Sequence, residues 1–266
     1  MCSSDLDGKI SWTGGFNIGD QYLGRKKKFG YWRDTQVRIV GSASLLLQER
    51  FVMDWNASIQ NNDQIITYNS LFFPDFNESE IQPGDMAIQI VSDGPDRYEA
   101  YMRNGVMRLM LLAKKRLWIQ TPYLIPDDAM FAAWETIAMS GVDVRIMIPC
   151  MPDHPFIYRA TQWYANELSR YGVKIYSYNK GFLHSKTIIV DHSYSSVGSM
   201  NQDYRSYDLN FEDIAVFYDK EFNRKLAAAF KNDMKDSTLL TKEIIEKQGR
   251  WLKTLQSFSR MLSPIL

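Results

Sequence analysis

Apolar and polar positions along this chain follow two rhythms. Lys9–Thr13 and Thr35–Val40 read as short strands around a glycine-rich, basic loop. Gly41–Trp55 places Leu45, Leu46, Leu47, Phe51, Val52 and Trp55 at helical spacing. Polar residues dominate from Asn56 to Gln82 and mark a long connection. Beyond it, strands and helices take turns. Met86–Val91 predicts a strand, Tyr98–Lys115 a helix, and Leu117–Gln120 a strand stopped by Thr121-Pro122. Asp127 or Asp128 caps a helix running to Ser140, and Val144–Ile148 is a buried strand. Asp153-His154-Pro155 opens a helix to about Tyr171, and strand Val173–Tyr176 follows. Thr187–Val190 and Ser195–Val197 flank Asp191-His192-Ser193-Tyr194 as a hairpin. Phe211–Phe217 is a further strand, and Glu221–Lys231 begins a helical tail.

This alternation predicts an α/β sheet with helices on both faces. The connection divides it into a first unit over residues 1–60, a linker over 61–85 and a second unit over 86–240. Residues 241–266 form a C-terminal amphipathic helix, with Leu252, Leu255, Phe258 and Leu262 at helical spacing. That helix either packs on the second unit or lies on a lipid surface.

Charge adds little direction. Lys+Arg and Asp+Glu are both 31, so no global basic field points to nucleic acid. The local runs Arg25-Lys26-Lys27-Lys28 and Lys114-Lys115-Arg116 read as solvated faces, the first with a possible phosphate or lipid role. Two cysteines make no disulfide framework, and three histidines without ligand spacing indicate no metal site. No apolar run approaches the roughly 18–20 residues that span a bilayer.

The chemistry lies in Phe182-Leu183-His184-Ser185-Lys186-Thr187-Ile188-Ile189-Val190-Asp191, followed by Gly198-Ser199-Met200-Asn201. The frame is H-x-K-x4-D-x6-G-S-x-N. On a strand, His184 and Lys186 project from one face, an arrangement suited to a phosphodiester. The lysine neutralises a non-bridging oxygen, while the histidine attacks phosphorus or protonates the leaving oxygen. Ser199 and Asn201 offer uncharged donors to the remaining oxygens. An imidazole in that role needs an acceptor on its other nitrogen, and Glu212 is the candidate. Its counterpart in the first unit is Asp34, and Asp191 fixes the hairpin turn.

Half of the frame recurs near the start of the chain. Asp7 and Gly14-Gly15-Phe16-Asn17 repeat D-x6-G-[GS]-x-N, displaced by 191 − 7 = 184 residues. The partner of Lys186 then falls on Cys2, and that of His184 falls at position 0. The frame resembles the phospholipase D superfamily, whose signature is two such motifs. Within it the chain is similar to the C-terminal part of bacterial cardiolipin synthases. Gly30-Tyr31-Trp32-Arg33-Asp34, Gln120-Thr121-Pro122-Tyr123, Pro152-Asp153-His154-Pro155 and Leu209-Asn210-Phe211-Glu212 add to the likeness.

The resemblance implies two pseudo-symmetric phospholipase D-type sandwich domains, each a mixed sheet flanked by helices, the first incomplete. It implies a phosphohistidine mechanism with His184 as acid and base, Lys186 and Asn201 holding phosphate, and Asn17 in the first half-site. Phosphatidylglycerol is then donor and acceptor, no cofactor is needed, and no nucleic acid is expected. An anionic membrane surface is the implied setting, with this fragment peripheral to it. The chain departs from the pattern at Ser3-Ser4-Asp5-Leu6, where the frame expects a buried apolar strand. Met1–Leu6 is therefore expected to be foreign, resembling a translated sequencing adapter, and the chain alone is expected to be nearly inactive. A phospholipase D-type nuclease and a non-catalytic remnant stay open beside the transferase.

Overall fold

The computed structural model describes residues 3–60, 64–76, 86–96 and 99–265. Strands β1 (Ser3–Leu6) and β2 (Ile10–Gly14) form an antiparallel hairpin. A loop leads to β3 (Tyr31–Arg33) and β4 (Gln36–Val40), and β4 joins β2 to give the order β1-β2-β4. Helix α1 (Ser44–Ser58) follows. The polar connection after it lies partly outside the described residues, as do Cys2 and the expected helix start at Tyr98. Within the connection, Asn56 clamps Ile66, donating from Nδ2 at 2.8 Å and accepting at Oδ1 at 2.9 Å.

The second unit runs through β5 (Ile88–Asp93), α2 (Tyr101–Leu111), β6 (Arg116–Gln120) and β7 (Leu124–Ile125). Next come α3 (Asp128–Met139), β8 (Asp143–Pro149), α4 (Pro155–Arg170), β9 (Lys174–Tyr178) and β10 (Gly181–Leu183). Then follow β11 (Thr187–Val190), β12 (Tyr194–Gly198), β13 (Gln202–Asp203), α5 (Tyr204–Asp208) and β14 (Glu212–Phe217). The chain closes with α6 (Lys220–Lys235), β15 (Ser237–Leu239), α7 (Lys242–Glu246) and α8 (Arg250–Met261). Eight strands make one mixed sheet in the order β15-β9-β8-β6-β11-β12-β14-β5.

Both faces of this sheet are covered, which explains why β11 and β14 are buried at every position. On one face Met110, Trp134 and Leu168 from α2, α3 and α4 pack against Ile119, Ile146 and Ile188. On the other, Leu226 and Phe230 of α6 share a cluster with Val37, Ile39 and Leu47 of the first unit. The first unit thus lies against the sheet of the second and helps close its core.

Three expectations change. Ser3–Leu6 does form the hairpin strand, although it is polar. It tolerates polarity because it is the edge of a three-stranded sheet, bonded only to β2 among the described residues. Second, β3 and β10, both absent from the pattern reading, pair in parallel and stitch the two units together. A Cβ on Gly181 would lie 1.9 Å from the Tyr31 carbonyl oxygen, so only glycine permits that approach. Third, α8 packs on the second unit as one reading predicted, but Phe258 of its stripe stays exposed. Polar residues share the buried face with the half-buried Leu252, Leu255 and Leu262. Gln256 and Ser259 are buried, while Trp251, Phe258 and Met261 are exposed.

Candidate active site

The repeated frame produces the same turn twice. Asp7 and Asp191 both adopt positive φ, 56° and 50°, at the tips of their hairpins. The Gly15 N–H donates to the Thr35 carbonyl at 3.2 Å, and the Ser199 N–H donates to the Asp213 carbonyl at 2.9 Å. A Cβ at Gly14 would meet that Thr35 oxygen at 2.3 Å, and one at Gly198 would meet the Asp213 oxygen at 2.2 Å. Each small residue lets the following strand close on the turn. The correspondence makes Asp34, just before Thr35, the structural counterpart of Glu212, just before Asp213.

His184 sits in the link between β10 and β11 rather than on a strand. Its N–H donates to the Arg33 carbonyl at 2.8 Å, continuing the β3–β10 pairing by one residue. The ring lies among Trp32 at 5.0 Å, Tyr22 at 5.6 Å and Phe182 at 6.2 Å, centroid to centroid. Its Nδ1 is 2.8 Å from the Asp34 carboxylate. Asp34, not Glu212, is therefore the acceptor that orients His184. The bond crosses from one unit to the other because the two turns face each other.

That carboxylate fixes the proton on Nδ1 and leaves the Nε2 lone pair for the pocket. The Lys186 ammonium lies 2.9 Å from Nδ1 and 3.0 Å from Nε2, and donates to the His184 carbonyl at 2.7 Å. Burial and then the Lys186 charge push the His184 pKa below its ordinary value, while Asp34 pulls it back only in part. At neutral pH the ring is uncharged, the form that takes up a proton or attacks phosphorus.

Asn17, Tyr22, His184, Lys186, Ser199, Asn201 and Glu212 line one cavity of about 480 Å³. Six residues expected at the site are thus brought together, and Asp34 stands directly behind His184. Asp191 lies elsewhere. It sits at the far end of β11, and its carboxylate accepts the N–H groups of Lys114, Lys115 and Arg116 at 2.7–3.2 Å. Burial opposes its charge, but those three amides hold its pKa below the usual carboxylate value. Its place is structural.

Ser199 also takes another part than a free donor. Its hydroxyl bonds the Glu212 carboxylate, which also receives Ser206 Oγ at 2.9 Å and Asn210 Nδ2 at 3.2 Å. Glu212 is held in place facing the cavity. The Asn201 Oδ1 atom is buried without a hydrogen-bond partner among the described residues.

Sequence reasoning missed the support behind this wall. Arg33 Nε donates to Asp233 at 2.9 and 3.0 Å, and its Nη2 lies 2.8 Å from the same carboxylate. Gln120 Nε2 adds a further bond to Asp233 at 2.8 Å. This pair ties β3 to α6 across 200 residues of chain, and no local pattern announces it. Tyr123, whose hydroxyl bonds Asp153, was visible only as part of a resembling tetrapeptide.

Comparison with known proteins places this geometry. The family model described as "Cardiolipin synthase, PLD-like domain" matches residues 106–234. A cardiolipin synthase of Listeria welshimeri is 48% identical over 261 residues, covering 98% of this chain and 53% of that protein. One from Staphylococcus aureus is 46% identical, with 98% and 52% covered. The chain belongs to the phospholipase D superfamily. It spans about half the length of the curated relatives it matches. The superfamily fold is also that of phosphatidylserine synthase from Haemophilus influenzae, with a TM-score of 0.69 at 15% identity over 98% of this chain and 70% of that one. Nuc from Salmonella typhimurium, a phospholipase D family member, aligns over its whole length and 59% of this chain, with a TM-score of 0.50 at 18% identity.

Proposed function

We propose that this chain carries one half-site of a phosphatidyltransferase that joins two phosphatidylglycerols into cardiolipin through a phosphohistidine. The observation that carries the reading is the His184–Asp34 pair, 2.8 Å across the unit boundary, with the Lys186 ammonium against the same ring. A neutral imidazole held at Nδ1 by Asp34, with the Lys186 ammonium 3.0 Å from Nε2, is built for proton transfer. A cation beside it meets the charge of a phosphodiester oxygen.

In this reading the nucleophile is the histidine of an upstream H-x-K, and Glu212 orients it as Asp34 orients His184. Attack on the first phosphatidylglycerol forms the N–P bond and breaks the bond to glycerol, which leaves with the Nε2 proton of the minor imidazolium form of His184, and the ring is left neutral. The hydroxyl of the second phosphatidylglycerol then gives its proton to His184, attacks phosphorus and releases the nucleophilic histidine. Lys186 and Asn201 hold the phosphoryl group, and Asn17 contributes from the other turn. Protein cations and amides supply the electrostatic stabilisation at each step. No described helix is long and apolar enough to cross a membrane, and the setting of this chain is the surface of an anionic bilayer.

The test replaces Met1–Leu6 with the upstream half of the Listeria welshimeri relative, through its first H-x-K-x4, and supplies phosphatidylglycerol vesicles. Cardiolipin and glycerol should appear in equal amounts. His184→Ala should lower the rate about 10⁴-fold or more. Cleavage of DNA without a lipid product would replace this reading with a nuclease. No turnover of either substrate would leave a non-catalytic remnant.

A further inference from the structure

The segment between Asn17 and Asp34 is longer than its counterpart in the second turn. It spans 34 − 17 = 17 positions, against 212 − 201 = 11 between Asn201 and Glu212. The additional length carries two kinds of exposed side chain that the chemistry of the site does not use. Ile18 is fully exposed and Leu23 is 58% exposed. Directly after them come Arg25, Lys26, Lys27 and Lys28, all exposed, in a protein whose total charge is balanced. Asp20 is the one carboxylate in the segment, 3.6 Å from Arg25.

This loop is built, not loose. Its turns close through Tyr22 N–H to Gly19 O at 3.2 Å, Gly24 N–H to Gln21 O at 3.0 Å and Arg25 N–H to Asp20 O at 2.9 Å. Tyr22 anchors it from within, packing at 4.9 Å on Trp32 and 5.6 Å on His184. At its far end Phe29 packs on Trp32 and Phe182. The loop also forms one wall of the catalytic cavity through Asn17 and Tyr22. Leu209 and Phe211, exposed by 56% and 41%, also line the cavity. The cavity lining thus includes exposed apolar side chains, and the segment that supplies Asn17 and Tyr22 continues along the chain into the cationic run.

We infer that the loop from Phe16 to Lys28 is a docking surface for anionic lipid, inserting Ile18 and Leu23 at the interface while the Arg25–Lys28 run holds the headgroup phosphates. The inference rests on the lipid reading of the site and names the surface through which substrate reaches it. An apolar tip beside a cationic run is the composition that partitions into a charged interface. A nucleic-acid groove has no use for an exposed isoleucine and leucine at its edge. Continuity with the cavity gives the arrangement its function. A headgroup held by Lys26 is bound on the same loop that supplies Asn17 and Tyr22 to the cavity.

The test measures partitioning of the chain onto vesicles of phosphatidylglycerol and phosphatidylcholine, and onto phosphatidylcholine alone. Wild type should bind the anionic vesicles and release them at high salt. The triple variant Lys26→Gln, Lys27→Gln, Lys28→Gln should bind at least tenfold more weakly, since each interfacial cation is worth about fivefold. The pair Ile18→Asp and Leu23→Asp should weaken binding by a similar factor. All these side chains are exposed, so the thermal midpoint should hold and separate lost docking from lost folding. Trp251→Asp with Phe258→Asp tests the competing apolar stripe on α8. Full binding by the loop variants, or loss only in the α8 variant, overturns the inference. So does lost affinity for a single-stranded oligonucleotide with vesicle binding intact. Loop-dependent binding without any transferase activity would remove the proposed function and leave the docking surface standing.

Discussion

In the first unit Asp7 turns β1 into β2, and in the second Asp191 turns β11 into β12, both through the same positive-φ corner. The strands they join have very different surroundings. β11 is central, bonded to β6 and β12 and buried throughout, and the Asp191 carboxylate locks it to the 114–116 segment. β1 is an edge, Leu6 and Asp7 are exposed, and Asp5 ties the turn by accepting Gly8 N–H at 2.8 Å and Ser11 Oγ–H at 2.5 Å. One backbone device thus works with opposite sequence chemistry. The turn needs a residue that tolerates positive φ and a small residue where the next strand closes. Apolar neighbours are needed only where the strand has sheet on both sides.

The sharpest way to break the equivalence of the two units is to treat their acids separately. In the joined enzyme, Asp34→Asn should lower phosphatidyl transfer about 10²–10⁴-fold, because the proton-transfer ring loses its orienting acceptor. The same change removes the one neighbour that favours the imidazolium most, so the His184 pKa should fall further in an NMR titration. Glu212→Gln should leave that titration where it is. An equal shift in both variants would show that the cross-unit pairing is not specific.

A second test acts on the tie between the units. Arg33 and Asp233 form a largely buried ion pair, and Arg33→Ala leaves Asp233 with a buried charge and only neutral partners. Breaking such a pair costs about 3–5 kcal/mol, read from denaturant unfolding. A loss below about 1 kcal/mol would mean that the first unit is held by its apolar contacts alone.

Asp203 asks whether the second turn stores electrostatic cost beside the site. Burial, with Glu212 adding to it, raises its pKa from 3.8 to about 6. The folded state therefore binds the proton more tightly than the unfolded one, and stability falls as pH rises between those values. Above about pH 6 the cost is present in full. Asp203→Asn keeps an acceptor for the Ser206 N–H that caps α5 and removes the charge. It should gain roughly 1–3 kcal/mol at pH 7 and nothing near pH 3.5, measured by thermal unfolding.

The smallest effect compares the two corners directly. Asparagine tolerates positive φ, so Asp191→Asn and Asp7→Asn differ only in what the carboxylates hold. The first should cost about 1–2 kcal/mol for weakened acceptance of three backbone amides, and the second less than about 0.5 kcal/mol. Equal costs would erase the distinction between the central and edge hairpins.

Much of this architecture was legible along the chain. The helices over α3 and α4 and the β11–β12 hairpin follow from apolar spacing and from end signals that act within a few residues. The frame itself marked His184, Lys186 and Asn201, because a chemistry tied to short spacing leaves a short-range trace. The polar sequence of β1 carries no strand signal of its own, since strand pairing depends on neighbours and its neighbour count is a tertiary fact. The stripe on α8 was legible except at Phe258, which stays exposed while Gln256 and Ser259 are buried. Spacing establishes that a helix has two faces, but the polar residues waiting on α4 decide which face is buried.

By itself, then, the sequence determined the turns, the alternating elements and the identity of six groups that line the cavity. Those properties depend on residues close in the chain, where sterics and hydrogen-bond capacity act directly. Only the tertiary structure decided that Asp34 rather than Glu212 holds His184, and that Arg33 reaches Asp233. These contacts join residues 150 and 200 positions apart. Their partners are selected by how two units pack, a choice made by the summed burial of a shared core.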